Sequence, residues 1–162
     1  MNAHSLDFKI NACSEEDIRS HLSSCNRQFS PPLSDRVDIG EYSRKIRLNA
    51  FTFEAWNNES LVGMVAAYID TRDHSCFITN TSVLAEFSGQ RVAATLLAAC
   101  LAHARAADIE TVSLEVSKDS RPAIRLYEKF GFQIVGHRAG FLQMRCKQLK
   151  LQDVSCNKES DQ

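Results

Sequence analysis

A turn with one glycine, directly before an alanine-rich helix, is the first feature that could bind a ligand. The turn reads Ser88-Gly89-Gln90-Arg91, and helical periodicity begins at Val92. The start of a helix exposes unpaired backbone N–H groups and a partial positive charge, so a tight turn there can hold a phosphate without basic side chains. The alternative is a plain strand-to-helix connection, because a lone glycine turn is weak support for phosphate binding.

A glutamate and a tyrosine farther along the chain could transfer protons. Glu115 alternates with Leu114 and Val116, so its carboxylate leaves the strand on the opposite face. A partly buried carboxylate can take a proton from an amine, and a phenol such as Tyr127 can protonate a strongly basic leaving group. The alternatives are structural: Glu115 as an exposed or ion-paired residue, and Tyr127 as a core aromatic on the same face as Phe130.

Other kinds of site have little support. The five histidines lack metal-ligand spacing, and the sequence contains neither a nucleophile elbow nor a phosphate-binding P-loop, so no metal site and no such motif is predicted. None of the six cysteines forms a CxxC pair, and we interpret them as reduced thiols that fill the core. Glu54, Asp70 and His74 are reserve proton acceptors, each interpreted as a surface polar residue.

Composition indicates one ordinary globular domain. The chain has 162 residues with a net charge of -1, and its basic residues are scattered, which disfavours nucleic acid as a partner. The longest apolar run, at 61–69, is too short for a membrane helix and is typical of a buried strand. We predict a single domain over residues 1–150, a polar tail over 151–162 and, from an N-terminus without a signal-peptide pattern, a cytoplasmic location.

Periodicity and turn residues predict alternating strands and helices. Strands are predicted at 8–12, 51–56, 61–69, 76–83, 111–116, 133–138 and 141–147, and helices from Ser14, at 41–49, at 92–105, and from the Pro122 turn to Gly131. Residues 51–69 form a hairpin in this prediction. The most secure helix, 92–105, places its apolar side chains on one face.

Two segments, residues 83–97 and 114–132, resemble the GNAT family of N-acetyltransferases. The resemblance runs from about residue 51 to 147, and around Glu115 to Phe132 it is locally most similar to the ribosomal-protein alanine acetyltransferases. It implies an α/β fold with a mixed central sheet of about seven strands flanked by helices. It also implies an enzyme that transfers an acetyl group from acetyl-CoA to a primary amine by direct attack in a ternary complex.

The resemblance assigns roles to individual residues. Tyr127 would point at the CoA sulfur as general acid, and Glu115 would be the general base. The backbone at Thr81–Val83 would pair with the pantetheine arm. The cofactor-binding residues implied in this way are Thr81, Val83, Ser88, Gly89, Gln90, Arg91, Val92, Ala93, Ala94, Ser120 and Tyr127.

Three residues depart from the family pattern. Ser88 stands where the family has Arg or Gln, and Arg91 stands at a Gly position, so we expect Arg91 to adopt a backbone conformation that does not require glycine. Ser120 replaces an Asn and equally suits a helix cap.

Two further functions and several acceptors stay open. The same fold could be a catalytically inactive acyl-CoA-binding regulatory module, or a small binding domain unrelated to CoA. A protein N-terminus, a polyamine, an amino sugar and an antibiotic all remain candidate acceptors, and a homodimer is compatible with the resemblance.

Overall fold

Residues 5–148 are described by the computed structural model, and within them the chain forms seven strands and four α-helices. These are β1 Asp7–Ile10, α1 Glu15–Cys25, α2 Ile39–Asn49, β2 Phe51–Asn57, β3 Ser60–Asp70, β4 Ser75–Val83, α3 Val92–Ala106, β5 Thr111–Ser117, α4 Arg121–Lys129, β6 Gln133–Arg138 and β7 Phe141–Lys147. The strands join one sheet in the order β1-β2-β3-β4-β5-β7-β6. The predicted α/β class and strand number are confirmed.

The described residues divide into two compact units. One comprises the chain up to Tyr68 together with Ile78–Cys100, and the other comprises Ile69–Phe77 and the chain from Leu101 onward. The single domain over residues 1–150 stays a prediction. The polar tail predicted for residues 151–162, which includes Cys156, lies outside the described residues.

Helices α1 and α2 begin where polar side chains cap them. Ser14 Oγ accepts from the Asp17 N–H at 3.1 Å, and Asp17 accepts in return from the Ser14 N–H at 2.8 Å. Asp38 Oδ1 accepts from the Glu41 N–H at 2.9 Å, so α2 begins at Ile39, earlier than the predicted start at 41. The Asp38 cap explains the difference.

Strand β1 is shorter than predicted because the chain turns at Asn11. That residue has a positive φ of 55°, and its side-chain oxygen accepts from the Thr52 N–H at 2.9 Å. Asparagine tolerates this left-handed conformation better than most residues. The strand therefore ends at Ile10 rather than at residue 12.

In the first unit, β2 and β3 are antiparallel and are covered on both faces. Trp56, Leu61 and Met64 pack with Ile18 of α1 and Ile46 of α2 in one apolar cluster. On the other face, a Cβ on Gly63 would lie 2.8 Å from the Val92 side chain of α3. Glycine therefore permits the close approach of α3 to β3. The predicted buried strand at 61–69 is confirmed, since residues 61–67 are buried.

In the second unit, β7 pairs antiparallel with both β5 and β6. The bounds of β6 and β7 match the prediction, and Gly131 has a φ of +92° after α4, as expected of a helix-terminating glycine. On α4, Tyr127 is buried, whereas its apolar neighbours are half-buried: Ala123, Ile124, Leu126 and Phe130.

The cysteine prediction is confirmed for the described residues. Cys13, Cys25, Cys76, Cys100 and Cys146 are all buried free thiols. Over residues 5–148, no helix combines the length and apolar character needed to cross a membrane.

Candidate active site

The loop before α3 contains two residues with left-handed backbone. Gly89 has a φ of +80° and Arg91 has a φ of +61°. The expectation that Arg91 would avoid a glycine-like conformation is therefore wrong. Its carbonyl accepts from the Thr95 N–H at 3.0 Å and from the Thr95 hydroxyl at 2.9 Å, so Arg91 is the residue that starts the helix. A residue with a side chain thus has left-handed backbone directly before the helix, a conformation that costs about 1–2 kcal/mol relative to the right-handed one.

This loop can receive an anion. Residues 88–91 are all exposed, and a Cβ on Gly89 would meet no atom within 4 Å. The N–H groups of Val92, Ala93 and Ala94 belong to the first turn of a 15-residue helix, where an α-helix supplies no internal acceptor. Ser88 is not oriented as a ligand, because its hydroxyl donates to the Ala85 carbonyl at 2.8 Å.

The end of β4 alternates between two environments. Thr81 and Val83 are half-buried, and Ser82 between them is buried. Thr81 Oγ1 is buried and has no hydrogen-bond partner among residues 5–148. With the Gln28 amide turned so that its nitrogen donates, that nitrogen lies 2.9 Å from the Val83 carbonyl oxygen. The backbone at this end of the strand is therefore fixed by a side chain from outside the sheet.

Glu115 lies on β5 on the half-buried face, as its alternation predicts. Thr111, Ser113 and Glu115 are half-buried, whereas the residues between them are buried. The Glu115 side chain is 28% exposed, and Oε1 lies 3.6 Å from a guanidinium nitrogen of Arg138, whose side chain is 77% exposed. An ion pair this open to water holds its partners weakly. The carboxylate is accessible to water and to a proton donor.

Tyr127 lies on α4 and is 6% exposed. Its ring packs edge-on against Phe132, with the ring centroids 5.7 Å apart. Ser120 stands at the position before α4 without a capping hydrogen bond from its side chain. Its backbone carbonyl accepts from the Ile124 N–H at 3.0 Å. The interpretation of the Ser120 hydroxyl as a cap is therefore wrong, although the position is the predicted one.

The reserve proton acceptors differ from one another. Asp70 and His74 are exposed, as predicted. Glu54 is 0% exposed, so its interpretation as a surface residue is wrong. Its carboxylate accepts from the backbone N–H groups of Ala12 and Cys13 at 3.0 and 3.2 Å, from the Thr52 hydroxyl at 2.6 Å and from the Trp56 indole at 2.9 Å.

Two hydrogen-bonded polar side chains, the half-buried Tyr42 and the buried His21, were missed at the sequence level. The Tyr42 hydroxyl donates to the Thr79 carbonyl at 2.8 Å, and burial raises the pKa of Tyr42 to about 12. His21 is 3% exposed and lies between β3 and β4. Helical periodicity marks both positions, because Tyr42 shares a face of α2 with Ile46, and His21 lies at helical spacing between Ile18 and Cys25 of α1. Among residues 5–148, no cluster of three or more His, Cys, Asp or Glu side chains is arranged to hold a metal ion.

Several solved structures have the same fold. PaiA N-acetyltransferase from Thermoplasma acidophilum, solved in complex with coenzyme A, is 16% identical over 88% of this chain and 99% of its own, with a TM-score of 0.70. The ribosomal-protein-alanine N-acetyltransferase from Escherichia coli is 15% identical over 87% of this chain and 94% of its own, with a TM-score of 0.68. A Bacillus subtilis acetyltransferase in complex with CoA is 14% identical over 90% of this chain and 100% of its own, with a TM-score of 0.68. These identities support the fold alone.

Sequence comparison establishes the family. No curated protein sequence matches this chain significantly. The model of the acetyltransferase (GNAT) family matches residues 15–132, which include the loop before α3, Glu115 and Tyr127. The chain belongs to the GNAT family of acetyltransferases, which use acetyl-CoA as acyl donor.

Proposed function

We propose that this acetyltransferase transfers the acetyl group of acetyl-CoA to a primary amine, with both substrates bound at once. The observation that carries the proposal is the loop at residues 88–91. Its two left-handed residues, Gly89 and Arg91, lead into the exposed N-terminus of α3. A pyrophosphate suits this geometry because backbone N–H groups and the helix dipole both favour negative charge.

In this proposal the loop binds the pyrophosphate of CoA. The N–H groups of residues 92–94 donate to phosphate oxygens, and the exposed Arg91 guanidinium lies beside them. Gly89 and Gln90 contribute to the pyrophosphate site through their backbone groups. Ser88 contributes through its backbone, since its hydroxyl is engaged with Ala85. The side-chain donor that the family has at position 88, an Arg or a Gln, is thus supplied from position 91.

The end of β4 binds the acyl arm. An extended backbone at Thr81 and Val83 can pair with the amide groups of pantetheine as an added strand would. A backbone N–H near Val83 then polarises the thioester carbonyl, where negative charge develops during attack. Ser120, with its side chain not engaged in capping, makes a further contact to the cofactor.

Two side chains manage the protons. The amine attacks the thioester carbonyl as a free base, and Glu115 takes the proton that the amine nitrogen loses, directly or through one water. The C–S bond then breaks, and Tyr127 donates its phenolic proton to the departing thiolate. A half-buried, weakly paired carboxylate and a buried phenol have the properties that these two steps require.

The second candidate is an acyl-CoA-binding module without catalysis. The departures at Ser88, Arg91 and Ser120 are the observations that favour it. Such a module binds CoA and acetylates no amine. Turnover therefore separates the two candidates.

The cellular location and the oligomeric state are separate questions from the reaction. Five buried free thiols suit a reducing compartment, and we infer a cytoplasmic enzyme. A homodimer remains a prediction, which light scattering of the purified protein tests.

The experiment is an acceptor screen with acetyl-CoA. Peptides with free N-termini, polyamines, amino sugars and aminoglycoside antibiotics are incubated with the protein, and CoA thiol release is measured together with the mass of the acceptor. We expect one class to gain an acetyl group, and Tyr127→Phe to lower turnover about 100-fold without changing CoA affinity. CoA binding without acetylation of any amine favours the inactive module, and unchanged turnover in Tyr127→Phe contradicts the assignment of the acid.

A further inference from the structure

His21 is a buried histidine of α1 that the proposed mechanism does not use. It is 3% exposed, and Ile18, Leu22 and Cys25 on the same helix are each 0% exposed. Burial lowers the pKa of His21 from 6.5 to about 4, so the imidazole is neutral at pH 7. A buried neutral imidazole needs a hydrogen-bond partner for each ring nitrogen.

Each ring nitrogen of His21 has a hydrogen-bond partner. Nδ1 lies 3.1 Å from the Leu61 carbonyl oxygen, and Nε2 lies 2.8 Å from Ser82 Oγ. Because a carbonyl oxygen can only accept, Nδ1 carries the single ring proton. Nε2 is therefore an acceptor, and it faces both the Ser82 hydroxyl and, at 3.8 Å, the Cys25 thiol. His21 thus links β3 to β4 in one defined tautomer.

The Leu61 carbonyl belongs to an irregular part of the sheet. The pairing of β2 with β3 shifts register after Ala55, which leaves Val62 as an extra residue on β3. Backbone groups at such a bulge leave the regular ladder and need other partners. His21 supplies one to Leu61, and the Leu84 N–H donates to the Val62 carbonyl at 2.8 Å.

Three consecutive residues, the last two of β4 and the one after it, are thus each held separately. Ser82 is held by His21, the Val83 carbonyl by the Gln28 amide, and the Leu84 N–H by β3. The Ser82 hydroxyl also donates to Asn80 Oδ1 at 2.7 Å in the same strand, so its proton lies between Asn80 Oδ1 and His21 Nε2. The central residue of the three, Val83, is the one whose backbone meets the thioester in the proposed function.

We propose that His21 is a positioning residue for acetyl transfer, which through Ser82 holds the end of β4 where the acetyl group of acetyl-CoA reacts. The proposal rests on the function proposed above. His21 touches neither substrate in this account. It acts by keeping the backbone around Val83 in the place where the thioester carbonyl is polarised.

This role predicts that a disturbance at the end of β4 affects kcat and the affinity for CoA to different extents. A displacement of about 1 Å at a reacting centre can lower a rate about 100-fold. The phosphates of CoA, in contrast, bind at the loop before α3, which His21 does not contact. Loosening the end of β4 therefore lowers kcat more than it lowers the affinity for CoA, because the phosphates at that loop still hold the cofactor.

Ser82→Ala and Ser43→Ala form a matched pair for the test. Both serines are buried, and Ser43 Oγ donates to the Ile39 carbonyl at 2.7 Å within α2 rather than to a residue of β4. Each variant removes one buried hydroxyl and the hydrogen bond that it donates. We expect Ser82→Ala to lower kcat about tenfold, with the CoA dissociation constant within about twofold of wild type, and Ser43→Ala to change neither.

His21→Asn is the second variant. Its amide can still donate to the Leu61 carbonyl but is too short to reach Ser82, so we expect the same loss of kcat as in Ser82→Ala. Equal kcat in Ser82→Ala, Ser43→Ala and wild type overturns the positioning role. A wild-type protein that acetylates no amine in the acceptor screen contradicts the proposed function instead, so the two failures are distinct.

Discussion

Glu54 and Glu115 have similar sequence neighbours but lie in different environments in the structure. Each is an acidic residue that alternates with apolar neighbours in a strand. Glu54 is 0% exposed and accepts from four donors, whereas Glu115 is 28% exposed at its side chain with Arg138 3.6 Å away. The first carboxylate is fully engaged in holding the start of the chain against β2.

The difference shows which carboxylate is available for chemistry. Lone pairs that already accept from backbone and side-chain donors can take up a proton only if those hydrogen bonds break, which costs stability. A half-buried carboxylate with one exposed partner can accept a proton without such a loss. Glu54 is therefore a structural residue, and Glu115 is the carboxylate to which we assign the base.

The largest expected effect is on turnover. Glu115→Gln should lower kcat about 100-fold to 10,000-fold, because the amide cannot take the amine proton. The free energy of unfolding and the affinity for CoA should stay unchanged. Steady-state kinetics with the acceptor from the screen measures this, and Glu128→Gln, an exposed glutamate of α4, is the control. Turnover at the wild-type level in Glu115→Gln would remove the distinction between the two carboxylates.

Glu54→Gln should have the opposite profile. Both oxygens of Glu54 accept hydrogen bonds, so the Gln amide nitrogen faces a donor whichever way the amide is turned. The hydrogen bonds that remain no longer involve a charged acceptor. The free energy of unfolding should therefore fall by about 3–5 kcal/mol. The kcat of the folded fraction should not change. Urea unfolding measures the effect, with the exposed Glu59→Gln as control. A stable Glu54→Gln protein with impaired turnover would reverse the assignment.

His21 belongs with Glu54 as a buried, satisfied polar group, and its contribution should depend on pH. Its pKa is lowered from 6.5 to about 4 by burial, so between these values the unfolded chain binds more protons than the folded one. The stabilisation is complete above pH 6.5 and is lost as pH falls toward 4, by about 3 kcal/mol.

Because other groups also titrate between pH 4 and pH 6.5, the test compares the stability of wild type with that of a variant without His21 at each pH. Urea unfolding of wild type and His21→Asn at pH 7 and pH 4.5 should show a stability gap that narrows at the lower pH. A gap of the same size at both values would mean that His21 is not held neutral by burial.

The smallest expected effect concerns Arg91. Glycine accepts its left-handed backbone without strain, so Arg91→Gly should change stability by no more than about 1 kcal/mol. CoA affinity should fall about tenfold, since a charge-assisted bond to phosphate is lost. Calorimetry at two salt concentrations checks this. Tighter binding by Arg91→Gly would show that the guanidinium makes no phosphate contact.

Elements with strong local patterns were predictable from the sequence. The bounds of β6 and β7 were correct, α3 ends one residue later than predicted, and Gly131 ends α4 as expected. Each of these depends on periodicity or on turn residues within a few positions, which a single sequence displays. The loop before α3 and the half-buried face of β5 were predictable for the same reason.

The environments of individual polar side chains were not predictable. Glu54 is buried by its bonds to Ala12 and Cys13, which lie about forty positions earlier in the chain, and His21 by its bonds to Leu61 and Ser82. Such long-range partners leave no trace in local periodicity. The conformation of Arg91 was missed because residue type alone disfavours a positive φ.

Calorimetric titration of the purified protein with acetyl-CoA and with CoA shows whether the loop before α3 binds the cofactor. We expect a single site with micromolar affinity, about -8 kcal/mol, that weakens as salt rises because phosphate contacts dominate the binding. If neither acetyl-CoA nor CoA bound, the assignment of the loop before α3 as the cofactor site would be contradicted, and with it the proposed acetyl transfer.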